Sequence, residues 1–133
     1  MSERVCPACR ETKSLDLFSK DKRQVYCLAC HNQKQKVRSE IRRNEVLAHY
    51  SGGFPVCACC SETRVEFLTI DHIENGGTQL RKTVKGHKYI TYWLRREGFP
   101  PGYRVLCMNC NHARGRYGRC PHEVEKESLT VTA

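Results

Sequence analysis

The chain has 133 residues, of which ten are cysteine, with 39% hydrophobic residues and a formal net charge of +9. This length predicts one small domain or two very small ones, and no apolar stretch is long enough to cross a bilayer. The N-terminus lacks the apolar core of a secretory signal, which predicts a cytoplasmic protein. The charge predicts a polyanionic partner, although charge alone is equally compatible with a merely soluble basic surface.

The cysteines are arranged mainly as four Cys-x-x-Cys pairs. Each pair places two thiolates on one turn at the separation that a tetrahedral zinc ion requires. In a reducing compartment such pairs favour zinc sites over disulfides, and zinc would add the stability that a small core lacks. We therefore expect two zinc sites, each with four cysteine ligands.

The first site is predicted in a unit covering residues 1–33, where two pairs enclose a short loop or hairpin. This pattern is typical of a zinc ribbon or treble clef, with Phe18 and Tyr26 as its small core. The pattern is specific for zinc, but it does not separate nucleic-acid binding from protein binding or a structural role. The expected ligands are Cys6, Cys9, Cys27 and Cys30.

A basic linking helix is predicted over residues 34–50. Val37, Ile41 and Ala48 recur at roughly helical spacing, and two glycines follow the run. The other faces are rich in positive charge. A charged helix face is usually only solvated, but this excess of positive charge favours contacts with DNA phosphates. The candidate DNA-binding residues here are Lys34, Lys36, Arg38, Arg42 and Arg43.

The second zinc site is predicted within residues 51–122, from two pairs that are far apart in the chain. Cys59 lies between the members of the first pair and is an alternative ligand. Near the end, Cys120 and His122 could add a ligand pair, or act as a buried cysteine and a capping histidine. The x-x spacing favours Cys57, Cys60, Cys107 and Cys110.

Between these pairs, a strand is predicted to end at Asp71 and His72, and a second strand to lie around "GYRVLC". A helix should begin after Cys110, with Asn111 in its first turn. Strand, strand and helix clamped by zinc would bring Asp71 and Asn111 into one small space. Carboxylate and amide oxygens suit Mg²⁺, and a neutral imidazole suits removal of a proton from water.

At these residues the sequence resembles a known family. The segments "CACCSETRVEFLTIDHIENGG" and "YWLRREGFPPGYRVLCMNCNHARGRYGRCPHE" are similar to the HNH, or ββα-metal (His-Me finger), endonucleases, especially the phage recombination endonuclease VII type. The resemblance covers about residues 44 to 122. It implies a small zinc-stabilised α+β protein, in which a ββα-metal nuclease domain follows an N-terminal zinc ribbon and a connecting helix. If the chain is phage-encoded, it would act in the host cytoplasm.

The resemblance implies that His72 is the general base and that Asp71 and Asn111 bind a catalytic Mg²⁺ or Mn²⁺. The implied activity is hydrolysis of DNA phosphodiester bonds, leaving 5′-phosphate and 3′-hydroxyl ends. Where the family name implies a histidine on the helix, this chain has Asn111, as in the endonuclease VII branch, and His112 follows it. Further candidate phosphate contacts are Arg114 and Arg116, although their spacing is equally compatible with solvated arginines. Cutting both strands with one site per chain favours a homodimer.

Two other functions remain open from the sequence. A non-catalytic zinc-ribbon DNA-binding or regulatory protein would use the same scaffold, although it would not need the acid, imidazole and amide together. A thiol redox protein is disfavoured because no βαβ pattern accompanies the cysteine pairs. Asn75 is interpreted as a turn residue. A short helix is predicted near Trp93 and Leu94, and the side chains of Tyr89, Trp93 and Leu94 are interpreted as packing groups. Residues 123–133 are predicted to form a flexible tail.

Overall fold

The structure is a computed structural model that describes residues 2–74 and 90–131. In this part of the chain it is a small α+β protein with four α-helices and two small antiparallel sheets. The chain divides into two compact units, Met1–Ile41 (unit 1) and Arg42–Ala133 (unit 2). The strands are β1 (Glu3–Val5), β2 (Thr12–Ser14), β3 (Leu68–His72) and β4 (Tyr103–Cys107). The helices are α1 (Leu28–Ser51), α2 (Ile90–Arg96), α3 (Met108–Tyr117) and α4 (Pro121–Val131).

Unit 1 is built on the β1–β2 hairpin, which pairs Glu3 with Ser14 in antiparallel register. Its core is small and consists largely of cysteine sulfur and aromatic rings. Phe18 is 5% exposed and packs with the buried thiols, and Tyr26 lies against the same cluster. The prediction that these two aromatic residues form the core of the N-terminal unit is confirmed.

Helix α1 is longer than the predicted linking helix, residues 34–50. It begins at Leu28, inside the second cysteine pair of unit 1, and ends at Ser51. The boundary between the two units falls within it, after Ile41. The predicted start was therefore too late, because the helix begins directly after Cys27 and no separate linker precedes it. The next residue, Gly52, has a φ of 83°, which stops the helix with little steric cost.

Unit 2 contains the strand, strand and helix order expected from the sequence. Strands β3 and β4 pair antiparallel, with Leu68 opposite Cys107 and His72 opposite Tyr103. Helix α3 follows β4 directly, and the Cys107 sulfur accepts a hydrogen bond from the backbone N–H of Cys110 in its first turn. The fully buried aliphatic side chains of this unit include Leu47, Leu68, Leu94, Val105 and Leu106.

The expectation of a flexible tail over residues 123–133 differs from the structure. Residues Pro121–Val131 form helix α4. Two local signals start it: Pro121 stands at the first helical position, and Glu123 Oε2 accepts a hydrogen bond from the Cys120 N–H at 3.0 Å. These signals lie just before the predicted tail and at its first residue, and the helix extends the folded unit beyond residue 122.

Helix α1 has 24 residues, a length sufficient to cross a bilayer, but it is strongly charged. Of the helices in residues 2–74 and 90–131, none combines enough length with enough apolar character to span a membrane.

Candidate functional site

Each unit contains the same tight turn around its first cysteine pair. In unit 1 the Cys6 N–H donates to the carbonyl of Glu11 at 3.0 Å, and in unit 2 the Cys57 N–H donates to the carbonyl of Glu62 at 2.8 Å. The residue after the second cysteine has a positive φ in both turns, 61° and 66°. This left-handed residue turns the chain back, and it makes the two turns equivalent loops.

In both units the second pair lies at the start of a helix, and the four sulfurs of each tetrad lie within 4.8 Å of one another. Tetrahedral zinc with Zn–S bonds of about 2.3 Å would place its sulfurs about 3.8 Å apart. The sulfurs of Cys60 and Cys107 are 3.7 Å apart. The predicted tetrads are therefore present as clusters that could bind a metal such as zinc: Cys6, Cys9, Cys27 and Cys30 in unit 1, and Cys57, Cys60, Cys107 and Cys110 in unit 2.

The thiols in these tetrads differ in how readily they ionise. Burial opposes ionisation of Cys57, but hydrogen bonds from backbone N–H groups outweigh it and lower its pKa to about 7. The same balance lowers the pKa of Cys6 to about 6. Burial first, and then neighbouring thiols, raise the pKa of Cys110 far above its ordinary value. A divalent cation is what would allow all four thiols of a tetrad to be thiolates together.

A third cluster of metal-ligand side chains lies beside the unit 2 tetrad. It contains Cys59, Cys110, Cys120 and His122, whose ligand atoms also lie within 4.8 Å of one another. Its three cysteines are buried. Two of its members, Cys59 and Cys120, are those that the two predicted tetrads left unassigned, so the structure gives both a common neighbourhood.

The predicted acid and base stand at the end of β3, on opposite faces of the strand. Asp71 Oδ2 accepts a hydrogen bond from Arg104 Nε at 2.8 Å, and both side chains are about four-fifths buried. Arg104 is the residue directly opposite Asp71 in the register. His72 lies opposite Tyr103, and their rings meet edge to face with centroids 5.0 Å apart. Because successive side chains alternate, the imidazole and the carboxylate face different sides.

Asn111 is anchored to the same face of the hairpin as Asp71. Its Nδ2 donates to Thr69 Oγ1 at 2.9 Å, and that hydroxyl donates to the Leu106 carbonyl at 2.8 Å. Thr69 and Asp71 are two residues apart in β3, so their side chains share a face. The structure thus brings Asn111 and Asp71 to one side of the hairpin and His72 to the other. With Nδ2 engaged as a donor, the oxygen of the Asn111 amide is its remaining polar atom.

The predicted DNA-binding residues fall into two groups by exposure. Arg43 is partly buried, and its Nη2 donates to the carbonyls of Val65 at 2.8 Å and Leu68 at 2.6 Å. The Arg43 guanidinium group therefore binds the backbone at the start of β3, which leaves less of it available for contact with DNA. The exposed members of the predicted set are Lys34, Lys36, Arg38 and Arg116.

Two further arginines that were predicted to contact DNA already interact with other side chains of unit 2. The Arg42 guanidinium lies 5.5 Å from the centre of the Tyr92 ring, and its buried Nε has no hydrogen-bond partner in the part of the chain that the structure describes. Arg114 Nη1 forms an ion pair with Glu123 Oε1 at 3.1 Å, which joins α3 to α4. The basic surface is therefore smaller than the sequence predicts.

Sequence reasoning did not identify Thr69, Tyr103 or Arg104 as parts of the site. Thr69 could have been found from strand alternation, since it lies two residues before Asp71. Arg104 and Tyr103 could not have been found so simply, because the register across β3 and β4 decides which residues face them.

Several residues were interpreted as packing groups, and two of them are described. Leu94 is fully buried, and the Trp93 ring lies 6.5 Å from the Tyr103 ring, which confirms packing roles. The predicted turn residue Asn75 and the predicted packing residue Tyr89 lie outside the described residues.

Comparison of the chain with families of known proteins, with curated proteins and with solved structures gave no significant match.

Proposed function

We propose that unit 2 is a metal-dependent DNA endonuclease of the HNH type that hydrolyses phosphodiester bonds to 5′-phosphate and 3′-hydroxyl ends. One observation carries the proposal: Asp71 and Asn111, 40 positions apart, share one face of the β3–β4 hairpin, with His72 adjacent in the strand. Two oxygen-bearing side chains on one face and an imidazole at the strand end form a set of groups suited to hydrolysis.

In this proposal Asp71 and Asn111 would hold a divalent cation, Mg²⁺ or Mn²⁺, which would compensate the negative charge on the phosphate and the departing 3′-oxygen. The donor set fits such an ion, because a carboxylate and an amide oxygen are hard ligands. His72 accepts the proton of the attacking water, and the edge-to-face contact with Tyr103 restricts the orientation of its ring. Burial raises the pKa of Tyr103, so its phenol stays neutral beside the imidazole.

Arg104 has two roles in the proposal. Its 2.8 Å contact with Asp71 holds the carboxylate in a defined position on the hairpin. A guanidinium group beside a cation site is also suited to a phosphate oxygen, which it can bind with planar N–H donors. The net charge of +9 supports a polyanionic substrate, and exposed lysine and arginine side chains on α1 and α3 would contact the DNA backbone.

One observation favours a second function, that of a non-catalytic DNA-binding protein. The Asp71 carboxylate is already neutralised by Arg104 within the protein. An ion pair of this kind contributes to the stability of a two-stranded sheet without any bound cation. In that case the cysteine sites and the hairpin would have only a structural role, and the basic surface would bind the DNA.

A cleavage assay separates the two functions. We expect the wild-type protein to cut supercoiled or branched DNA only with Mg²⁺ or Mn²⁺, and we expect His72→Ala to lower the rate by about 10²- to 10⁴-fold. His112→Ala is the matched control, because His112 is an exposed histidine next to Asn111. The control should cut at the wild-type rate, and both variants should keep the wild-type zinc content and melting temperature.

Retained cleavage by His72→Ala would reject the assignment of the base. Salt-dependent DNA binding by the wild type without any cleavage would select the second function. We also propose that cutting of both strands requires a homodimer with one site per chain. The ratio of nicked to linear product, measured together with the sedimentation of the complex, tests that part.

A further inference from the structure

The side-chain cluster of Cys59, Cys110, Cys120 and His122 has no role in the proposed nuclease chemistry. It lies directly beside the unit 2 tetrad, and Cys110 belongs to both groups. We propose that unit 2 binds two zinc ions, and that the thiolate of Cys110 bridges them. One ion would be held by Cys57, Cys60, Cys107 and Cys110, and the other by Cys59, Cys110, Cys120 and His122.

The distances in the second ligand set match tetrahedral zinc. His122 Nδ1 lies 3.4 Å from the sulfur of Cys110 and 3.3 Å from the sulfur of Cys120. With Zn–S bonds of about 2.3 Å and Zn–N bonds of about 2.0–2.1 Å, tetrahedral geometry places sulfur and nitrogen about 3.6 Å apart. The imidazole nitrogen therefore approaches both sulfurs as it would if all three bound one ion.

The ligands come from three segments that the fold holds together at this point. Cys59 lies in the tight turn between two ligands of the first ion, Cys110 lies in the first turn of α3, and Cys120 immediately precedes α4. The Lys126 ammonium group donates to the Cys59 carbonyl and so ties α4 to the turn. Glu123 accepts from the Cys120 N–H and pairs with Arg114 of α3. Contacts among the segments therefore position the ligands before any ion binds.

Charge balance favours sharing of a thiolate. Two separate sites, one with four cysteines and one with three cysteines and a neutral histidine, would carry a combined charge of −3 with Zn²⁺. A shared Cys110 leaves six thiolates for two ions, and the combined charge falls to −2. Burial of this much negative charge is costly, so one bridging thiolate lowers the cost of holding both ions in the core. A thiolate sulfur has enough lone pairs to bind two zinc ions.

A packing role for the extra ligands does not account for their arrangement. Two buried sulfurs could be replaced by small apolar side chains of similar volume without loss of core packing. The imidazole Nδ1 of His122 lies within hydrogen-bonding distance of the sulfurs of Cys110 and Cys120, but one ring nitrogen has a single lone pair or a single N–H, so an ordinary hydrogen bond accounts for only one of the two contacts. The set has instead the composition of a structural zinc site with three cysteine ligands and one histidine ligand.

Zinc stoichiometry tests the inference without any reference to cleavage. Native mass spectrometry of the full chain should show three zinc ions, one in unit 1 and two in unit 2. His122→Ala and Cys120→Ala should each show two, whereas the exposed control His112→Ala should keep three. His122→Ala leaves every cysteine in place, which protects the test if Cys120→Ala does not fold. Two ions in the wild type, or three in His122→Ala, would overturn the inference.

X-ray absorption at the zinc edge tests the bridge itself. Two ions on one sulfur, with Zn–S bonds of about 2.3 Å, lie about 3.5–3.8 Å apart. A zinc–zinc scattering contribution at this distance is expected in the wild type and should disappear in His122→Ala. Three ions in the wild type without that contribution would show separate sites and would overturn the sharing of Cys110.

Discussion

The two units share one framework and differ in what is inserted into it. Each has the same tight turn at its first cysteine pair and a helix start at its second. In unit 1 a single antiparallel bridge joins Phe18 to Cys27, and in unit 2 the corresponding pair, Leu68 and Cys107, begins a five-residue pairing of β3 with β4. Asp71 and His72 lie on that extension. The cysteine framework thus sets the local fold, and a longer hairpin provides the positions for chemical groups.

A second difference lies within the equivalent turns. Unit 1 has Ala8 where unit 2 has Cys59, and His31 follows the last cysteine of unit 1 where Asn111 follows that of unit 2. An alanine at the first position removes a ligand that the inferred second zinc ion requires. The comparison therefore predicts one ion in unit 1 and two in unit 2, where Cys120 and His122 complete the second ligand set.

The largest effect is expected from loss of a zinc ligand that has an equivalent in the other unit. Cys107→Ser removes a zinc ligand and the sulfur that accepts from the Cys110 N–H, so unit 2 should lose its folded structure and cleavage should become undetectable. Cys27→Ser, the equivalent change in unit 1, should leave the hairpin of unit 2 intact. Hydrogen exchange of amides in β3 and β4 measures this.

If those amides stay protected in Cys107→Ser, the zinc ligands are not required for the fold of unit 2. Loss of their protection in Cys27→Ser would show that unit 2 depends on the metal site of unit 1.

A smaller effect is expected from the residue that pairs with the third cysteine of each tetrad, Phe18 in unit 1 and Leu68 in unit 2. Leu68 is fully buried, so Leu68→Ala should lower the free energy of unfolding of unit 2 by about 2–5 kcal/mol. Phe18→Ala is the equivalent change in unit 1. Urea denaturation, followed by the amide signals of each unit, would show whether each change acts on its own unit. A loss below about 1 kcal/mol for Leu68→Ala would mean that the zinc ligands alone hold β3 in place.

The smallest effects are expected from basic residues of α1, which contributes residues to both units. The double change Lys34→Ala and Lys36→Ala removes exposed charges, so DNA binding should weaken and the slope of log K against log salt should fall by about 1–2. Arg43→Ala should keep that slope but cost about 1–3 kcal/mol of stability, because two carbonyls lose their donor.

Salt-dependent binding assays and urea denaturation of both variants check this contrast. An unchanged slope in the double variant would show that Lys34 and Lys36 do not contact DNA.

Much of the framework was predictable because it depends on local spacing. A Cys-x-x-Cys pair brings its two thiolates onto one turn, either of a loop or of a helix start, so both tetrads and the strands around Asp71 and Val105 could be predicted. The helix predicted after Cys110 was also found, although it begins earlier, at Met108. The start of α1 at Leu28 was missed because no cap residue or proline marks it. Helix α4 was missed because its start signals were attributed to the end of the nuclease domain.

The sequence by itself determined which residues could bind metal and which strand ends in an acid and an imidazole, because turns and strands depend on neighbouring residues. Only the tertiary structure decided that Arg104 faces Asp71 and that Thr69 anchors Asn111, since strand register joins positions more than 30 residues apart. It also decided that Cys110 lies between two ligand sets. Contacts of this kind depend on how distant segments pack, so the spacing of residues along the chain does not predict them.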